Sequence, residues 1–167
     1  MSHLAHKEAA PKRTRCFVVT VSDTRTDKTD RGGNAIVDLL RQQGHEVSGK
    51  TIVPDDADKV RQAIESHIAL PEIDVVILTG GTGISRRDGT YEVVSKLLDK
   101  RIDGFGELFR ALSYEEIGPA AMLSRACAGI VNGTIIISIP GSEHAVRLAV
   151  TKLILPEIGH LVREARR

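Results

Sequence analysis

The chain has 167 residues, a formal net charge of +1 and two cysteines, and only 3% of its residues are aromatic. This length suits one domain of ordinary size, which can bury a core without disulfide or metal staples. The near-neutral charge argues against a nucleic-acid-binding domain, and the scarcity of aromatic residues argues against stacking on single-stranded bases. We therefore expect no nucleic-acid partner.

The first residues predict a polar tail and not a targeting segment. MSHLAHKEAAPKRTR lacks the apolar run of a signal peptide, and no apolar stretch reaches the roughly 18 residues of a membrane span. Cys16 and Cys127 lie among apolar neighbours and are predicted to be reduced core residues, which favours a reducing compartment. We expect a flexible tail over 1–14, a single domain over 15–167, a cytoplasmic location and no membrane partner.

The first half of the chain alternates short apolar runs with amphipathic segments. Strands are predicted at 16–22, 45–53 and 74–79, and a helix with an apolar stripe follows each of them. The first helix ends before Gly44, and Asp55-Asp56 supplies N-cap chemistry for the second. Strands that alternate with helices predict a parallel sheet covered on both faces.

The second half is less regular. Residues 102–128 are predicted to be helical in parts. Breaks are expected at Gly104, Gly106 and Gly118-Pro119. Asn132-Gly133 between two apolar runs predicts a β-hairpin, a helix follows Pro140-Gly141-Ser142, and a final short helix begins after Pro156. The predicted fold class is α/β, a three-layer α/β/α sandwich with a mostly parallel sheet and one antiparallel strand.

Residues 44–51, GHEVSGKT, match the P-loop pattern of ATPases and GTPases. A P-loop follows a strand and opens a helix, so that the helix N-terminus faces phosphate. Here the first glycine follows a helix, and Lys50-Thr51 leads into a strand that ends at Pro54. We interpret the run as a helix cap and an ordinary edge or surface strand, with a P-loop NTPase as a competing hypothesis.

A glycine-rich turn follows the clearest buried strand. Open α/β sheets bind ligands at the carboxyl ends of their strands, and glycines let backbone N–H groups approach phosphate oxygens. The predicted ligand-binding residues of this turn are Thr79, Gly80, Gly81, Thr82, Gly83 and Ser85. The alternative is a tight turn that binds no ligand.

Two carboxylates are candidates for a metal site. Asp88 lies behind Arg86-Arg87, where the arginines suit a polyphosphate and the carboxylate suits Mg²⁺. Asp55 follows the second strand, so a parallel sheet could place both carboxylates along one edge. The alternative for each is helix capping. Ser22-Asp23 and Pro140-Gly141-Ser142 end other strands at that edge, and this convergence is a stronger signal than any single motif.

Other polar residues are weaker candidates. Glu107 lies beside glycines and is predicted to be buried or functional, and His144 lies one turn into a helix where it could contact an anion. His67 falls on an apolar helical stripe, which is typical of the edge of a core. The loop from Asp27 to Asp30 lacks metal-ligand spacing and is interpreted as solvated.

Several motifs together resemble the MoaB/MogA family of molybdenum cofactor biosynthesis proteins and the related G domains of gephyrin and of a plant protein. The main match is LTGGTGISRRD at 78–88. Supporting motifs are Val21-Ser22-Asp23, Val53-Pro54-Asp55, Gly104-Phe105-Gly106-Glu107, Leu123-Ser124-Arg125 and Ile139-Pro140-Gly141-Ser142. The segments at 113–118 and 155–160 look most like MoaB.

The resemblance implies a Mg²⁺-dependent adenylylation of molybdopterin, whose terminal phosphate attacks the α-phosphorus of ATP as pyrophosphate leaves. It implies that Asp55 and Asp88 are catalytic residues and metal ligands, and that 80–83 and Ser142 are phosphate-binding turns. The predicted substrate-binding residues beyond the glycine turn are Ser22, Asp23, Glu107, Pro140, Gly141 and Ser142. A homo-oligomer, trimer or hexamer, is expected, and other cofactor-biosynthesis proteins are candidate partners.

Two features bear on activity. The family usually has Asp-Val-Thr-Pro after the arginines, whereas this chain has Asp88-Gly89-Thr90-Tyr91, which loosens the turn and replaces a helix-starting proline. Some MoaB-type proteins lose one or both acidic positions, but this chain keeps both. We predict an active adenylyltransferase, and the alternative is a catalytically silent molybdopterin- or nucleotide-binding protein of the same fold.

Overall fold

The computed structural model describes residues 7–167, and a six-stranded sheet forms its centre. The strands are β1 (Arg15–Val21), β2 (Glu46–Val53), β3 (Val75–Thr79), β4 (Lys100–Arg101), β5 (Cys127–Val131) and β6 (Thr134–Ile139). The helices are α1 (Arg31–Gln42), α2 (Ala57–Ile68), α3 (Thr90–Leu97), α4 (Asp103–Ile117), α5 (Glu143–Ala149) and α6 (Leu155–Ala165). A 3₁₀ segment, Gly118–Leu123, follows α4, and a π-helical segment, Val150–Ile154, joins α5 to α6.

The strand order is β2-β1-β3-β6-β5-β4. The first four strands of this order run parallel, whereas β5 runs antiparallel to both β6 and β4. The turn between β5 and β6 uses Asn132 at φ +48° and Gly133 at φ +78°, the left-handed pair that a two-residue hairpin requires. The predicted α/β class, the mostly parallel sheet and the antiparallel strand are confirmed.

Each face of the sheet packs on helices, because alternate side chains of a buried strand point to opposite faces. In β3, Val75 and Ile77 pack with α1, α4, α5 and α6, whereas Val76 and Leu78 pack with α2 and α3. Cys16 lies in the first of these two cores, where burial raises the pKa of its thiol to about 12. Cys127 lies in the other core, and both cysteines are free.

Helix α4 differs from its prediction because it runs unbroken through Gly104 and Gly106. A Cβ on Gly106 would lie 2.6 Å from the carbonyl oxygen of Ala126, so this glycine permits close packing and does not break the helix. The expected break at Gly118 is present, at φ +63°. The strand β4 was not predicted, because two residues are too few to show the alternation of apolar and polar residues that marks a strand.

Residues 1–6 of the predicted tail lie outside the described residues. The part of the predicted tail that is described packs on the domain. Lys7 forms an ion pair with Glu157, and the hydroxyl of the fully buried Thr14 lies 3.0 Å from Nδ1 of His45. No local sequence pattern predicts these contacts. Within residues 7–167, no helix combines the length and the apolar character needed to cross a membrane.

Candidate functional site

The predicted site residues of four strands meet at the carboxyl edge of the sheet. The N–H of Ser22 donates to the carbonyl of Val53 at 2.9 Å, which joins the ends of β1 and β2. The N–H of Gly80 donates to the carbonyl of Ile139 at 3.0 Å, which joins the ends of β3 and β6. The parallel strands therefore bring together segments that are far apart in the sequence, as expected for an open α/β sheet.

The glycine turn is built on close backbone contacts. Gly80 has φ +100° and Gly81 has φ +66°, values that favour glycine. A Cβ on Gly80 would lie 2.2 Å from the carbonyl oxygen of Val21, and a Cβ on Gly141 would lie 3.2 Å from the Cα of Gly80. The turn is thus held between the end of β1 and the Pro140-Gly141-Ser142 turn.

Not every predicted hydroxyl in this region is available to a ligand. Thr79 is buried and donates to the carbonyl of Pro140 at 2.9 Å, and Thr82 is buried as well. Ser142 caps α5 by accepting the N–H of Ala145, whereas Ser22 accepts the N–H groups of two residues in its own loop. Ser85 is exposed, but its hydroxyl lies 2.6 Å from Asp88.

Asp55 is half-buried at this edge and faces the glycine turn. Its carboxylate accepts the N–H of Gly89 at 3.3 Å, and its own N–H donates to Asp23 at 3.0 Å. A Cβ on Gly81 would lie 3.1 Å from Oδ2 of Asp55. Burial first, and then the charges of Asp88 and Asp23, raise the pKa of Asp55. Within residues 7–167, no cationic side chain forms a salt bridge with it.

Asp88 faces the other end of the same turn. Its Oδ2 accepts the N–H of Ser85 at 2.9 Å, and a Cβ on Gly83 would lie 2.6 Å from that oxygen. Neither candidate carboxylate caps a helix: Asp56 caps α2, and the N-cap of α3 is Gly89, which has no side chain to act as a cap. The capping alternative is therefore wrong for both Asp55 and Asp88.

Thr90 completes the oxygen-rich side of the site, although the sequence analysis did not assign it to the site. Its hydroxyl is buried without a hydrogen-bond partner in the described part of the chain, and it lies 2.2 Å from where a Cβ on Gly81 would stand. A buried polar atom without a partner is costly unless a ligand satisfies it. Two carboxylates and a hydroxyl are oxygen donors of the kind that Mg²⁺ prefers, so these residues fit that cation.

The arginines of the loop have different roles. Arg87 forms a bidentate pair with Asp23 at 2.7 and 3.0 Å, and this contact lowers the pKa of that carboxyl. Asp23 in turn accepts the N–H of Asp55, so the pair supports the backbone of the candidate metal ligand. Arg86 is exposed beside it.

Arg125 is a second residue that the sequence analysis did not assign to the site. Its Nε donates to the carbonyl of Thr82 at 3.1 Å, and its Nη2 donates to the carbonyl of Gly83 and, at 3.5 Å, to that of Asp88. The guanidinium also pairs with Glu92 and lies 5.1 Å from the centre of the Tyr91 ring. Arg125 thus joins both ends of the loop that carries Asp88 to the first turn of α3.

Two adjoining cavities open beside the glycine turn. The first, of about 290 Å³, is lined by predicted residues, among them Ser22, Gly80 and Ser142. The second, of about 480 Å³, shares Gly141 and Ser142 with the first, and Arg25 lines both. The structure therefore forms a groove on this side of the turn, next to the carboxylates.

Asp30 corrects the interpretation of its loop as solvated. It is buried, caps α1 through the N–H of Gly33, and accepts the hydroxyl of Thr20 at 2.6 Å and the ammonium of Lys50 at 2.7 Å. Burial acts to raise the pKa of Asp30, but the bonds from Lys50, Thr20 and Gly33 outweigh it, so that this pKa is lowered. Lys50 lies in β2, and residues 44–51 open no helix, so the structural context of a P-loop is absent there.

The remaining candidates lie elsewhere. Glu107 is exposed, so the first of its two predicted alternatives, burial, is wrong. It lines a separate cavity of about 130 Å³ with Arg101 and Arg110. His144 lies against the carboxylate of Glu116. His67 is half-buried and stacks on a phenylalanine ring, as predicted for the edge of a core.

Comparison of the chain with known proteins identifies its family. The family model described as a probable molybdopterin binding domain matches residues 17–160. A molybdenum cofactor biosynthesis protein B from Bacillus cereus is 52% identical over 168 aligned positions, which cover 100% of this chain and 99% of that protein.

Solved structures agree with this assignment. A crystal structure of molybdenum cofactor biosynthesis protein B has a TM-score of 0.91 at 52% identity, and covers 95% of this chain and 99% of its own. The tungsten cofactor synthesizing protein MoaB from Pyrococcus furiosus has a TM-score of 0.85 at 42% identity, with 95% and 100% coverage. The resemblance seen in the sequence motifs is confirmed, and the chain belongs to the molybdopterin-binding domain family of molybdenum cofactor biosynthesis proteins.

Proposed function

We propose that this chain transfers the adenylyl group of ATP to molybdopterin, with Mg²⁺ as the cofactor. One observation carries the proposal: the carboxylates of Asp55 and Asp88 both lie against the same glycine turn. Neither carboxylate caps a helix, so helix capping does not explain why both are there. The relatives' role in molybdenum cofactor biosynthesis supplies the substrate class.

The residues that would hold Mg²⁺ are Asp55, Asp88 and the hydroxyl of Thr90. When bound, the cation would neutralise phosphate charge and stabilise the leaving pyrophosphate. The raised pKa of Asp55 supports this assignment, because a cation would remove the repulsion between Asp55 and the neighbouring carboxylates.

The chain's own residues position the two substrates. An oxygen of the molybdopterin phosphate forms a bond to the α-phosphorus of ATP, while the bond from that phosphorus to the pyrophosphate oxygen breaks. A phosphate dianion needs no strong base to act as nucleophile, so positioning and charge stabilisation dominate such a transfer. Backbone N–H groups of the glycine turn at 80–83 are suited to phosphate oxygens, since no Cβ keeps the ligand away.

The test is a reaction of purified protein with molybdopterin, ATP and Mg²⁺, followed by detection of adenylylated molybdopterin and pyrophosphate. Asp55→Asn and Asp88→Asn should each lower the rate by at least about 100-fold, because each removes a proposed metal ligand. Asp56→Asn is the matched control: it removes one neighbouring negative charge, while asparagine still caps α2.

Saturable binding of molybdopterin without any adenylylated product in the wild-type chain would refute the enzyme and support the silent binding protein. The metal-ligand assignment would be refuted if Asp55→Asn and Asp88→Asn formed the product as fast as the control Asp56→Asn. We further propose that the reaction takes place in the cytoplasm and that the product is passed to other cofactor-biosynthesis proteins for insertion of molybdenum or tungsten. The Pyrococcus furiosus relative is described as a tungsten cofactor protein.

A further inference from the structure

The first turn of α3 carries an aromatic side chain that contacts two arginines. The guanidinium carbon of Arg125 lies 5.1 Å from the centre of the Tyr91 ring, and that of Arg101 lies 5.8 Å from it. Nη2 of Arg101 also donates to the Tyr91 hydroxyl at 3.2 Å. The ring itself packs against the buried core that α3 covers. A guanidinium within about 6 Å of a ring centre is attracted by the π electrons, so both contacts are favourable.

The two arginines belong to different parts of the molecule. Arg125 binds carbonyls at both ends of the loop that carries Asp88. Arg101 is the last residue of β4, which pairs with β5 at the edge of the sheet, and its Nε donates to Asp103 at the start of α4 at 3.2 Å. Tyr91 therefore connects the Asp88 loop to the β4 edge of the sheet.

The local sequence gives α3 only a weak start. Its N-cap is Gly89, which has no side chain to cap the helix, and residues 90–92 contain no proline. The backbone at this start is bonded to the site. The N–H of Gly89 donates to Asp55 at 3.3 Å, and the N–H of Thr90 donates to the carbonyl of Gly81 at 3.0 Å. A shift of the first turn of α3 would break both bonds, so the contacts that hold this turn also hold the site.

We infer that Tyr91 is a positioning residue for the proposed metal ligands Asp88 and Thr90, and that Arg101 acts on them through Tyr91. Tyr91 directly follows Thr90 and lies three residues after Asp88, so a fixed ring restrains the backbone that carries both ligands. The hydroxyl bond from Arg101 fixes the ring from the side of β4, outside the site. The consequence for catalysis rests on the proposed function, whereas the consequence for the order of this backbone does not.

The test is a double-variant cycle of Tyr91→Phe and Arg101→Ala, with Tyr91→Leu as a further variant. Tyr91→Phe keeps the ring beside Arg125 but loses the hydroxyl that Arg101 binds. Each of the two should lower kcat for adenylyl transfer about 3-fold, and their combination should be no slower than Arg101→Ala, because both remove the same bond. Tyr91→Leu should lower kcat at least about 10-fold and change KM by no more than about 2-fold, since small displacements of catalytic groups are costly.

Hydrogen exchange in the ligand-free protein measures the same effect without the reaction. The amides of Gly89 and Thr90 should exchange at least about 3-fold faster in Tyr91→Leu and in Arg101→Ala. The amides of β1 and β3 should keep their rates, because core strands open only with the whole domain. Should Tyr91→Leu fold poorly, Tyr91→Phe and Arg101→Ala still decide the inference.

Arg61→Ala is the matched control for Arg101→Ala. The Arg61 side chain is 44% exposed against 41% for Arg101, and it also pairs with an exposed carboxylate nearby in the sequence, but on α2. It should change neither kcat nor the exchange of the Gly89 and Thr90 amides.

Unchanged exchange of these two amides in Tyr91→Leu and Arg101→Ala overturns the inference. Faster exchange of β1 and β3 to the same extent also overturns it, since the loss would then be one of general stability. A combined variant whose loss in kcat is the product of the two single losses shows that Arg101 does not act through Tyr91. A wild-type chain that forms no adenylylated product refutes only the proposed function, because the exchange rates still test the inference.

Discussion

At the scale of single residues, Asp55 is in an environment unfavourable to its charge. It is half-buried, and two other carboxylates lie nearby. Its charged form is favoured by one long hydrogen bond from Gly89 and by the charge of Arg87. A carboxylate kept ionised in such a place costs stability in the ligand-free chain. Binding of a cation would relieve this cost, which is a common property of metal sites.

Asp55→Asn should therefore stabilise the ligand-free protein near neutral pH. The folded-state pKa of Asp55 is raised above its ordinary value of 3.8, so ionised Asp55 destabilises the fold above that raised pKa. We expect the melting temperature to rise by roughly 2 °C at pH 7. The gain should vanish as the pH falls through the raised pKa toward 3.8, because the wild-type carboxyl becomes protonated. Thermal unfolding in EDTA between pH 8 and pH 4 measures this, and a lower melting temperature for Asp55→Asn at pH 7 would contradict it.

Arg125 should act as a positioning residue for the Asp88 loop. Arg125→Ala should lower kcat roughly 10–100-fold with little change in KM, because small displacements of catalytic groups are costly. Hydrogen exchange of the amides in 80–89 should become faster. Arg125→Lys should not restore either property, since an ammonium cannot reproduce the planar fork of donors.

Arg110→Ala is the control for this variant, because Arg110 is also partly buried and donates to two carbonyls, but outside the loop. Unchanged exchange at 80–89 in Arg125→Ala would show that the guanidinium does not hold the loop, whatever the rate of catalysis.

At the scale of elements, the glycine turn is the point where β1, β3 and β6 end together. Its backbone bonds to the end of β6, and the end of β1 leaves no room for a Cβ at Gly80. The turn therefore sets the spacing of the strand ends as well as the shape of the proposed phosphate-binding surface. A change in the turn should affect stability and ligand binding at the same time.

Gly80→Ala should destabilise the protein by about 2 kcal/mol or more, because it combines a left-handed φ with a contact of 2.2 Å to backbone. Nucleotide binding should be lost with it. Gly104→Ala serves as the control, since its Cβ meets nothing within 4 Å and it lies in a helix, where alanine gains up to about 1 kcal/mol. Urea unfolding of both variants measures these free energies, and equal stabilities would refute the packing argument.

At the scale of the whole molecule, several large apolar side chains remain exposed on α4 and the 3₁₀ segment after it. They are Leu108, Tyr114, Ile117, Met122 and Leu123. Met122 is 73% exposed, although the helices on both faces of the sheet bury their own apolar stripes. Large apolar side chains that remain exposed in this number along one segment are typical of protein interfaces. The expected homo-oligomer would use such a surface.

The chain should therefore sediment as a trimer or hexamer, and Met122→Glu/Leu123→Glu should shift it to a smaller species, because it places charges in a dry interface. Leu70→Glu adds a charge at an exposed leucine outside this surface and should leave the oligomer intact. Analytical ultracentrifugation distinguishes the species. A wild-type chain that sediments as a monomer would disprove the expectation.

The sequence by itself determined most of the elements and the strand ends at which the candidate site lies. The continuous apolar run of β3, the Asn132-Gly133 pair and the glycine turn are local signals, because periodicity and turn chemistry depend on neighbouring residues. The motifs at the strand ends then predicted which segments meet at one edge of the sheet, since parallel strands bring their carboxyl ends together.

Only the tertiary structure decided which polar residues face the candidate site. Asp55 and Asp56 are adjacent and chemically alike, yet one caps a helix and the other faces the turn. Arg125 reaches carbonyls some 40 residues earlier in the chain, and Lys50 pairs with Asp30 across two elements. Such contacts depend on how elements pack, so no local sequence pattern predicts them. The physical reason is that side chains of the same type take different roles according to their burial and to the partners that folding brings near them.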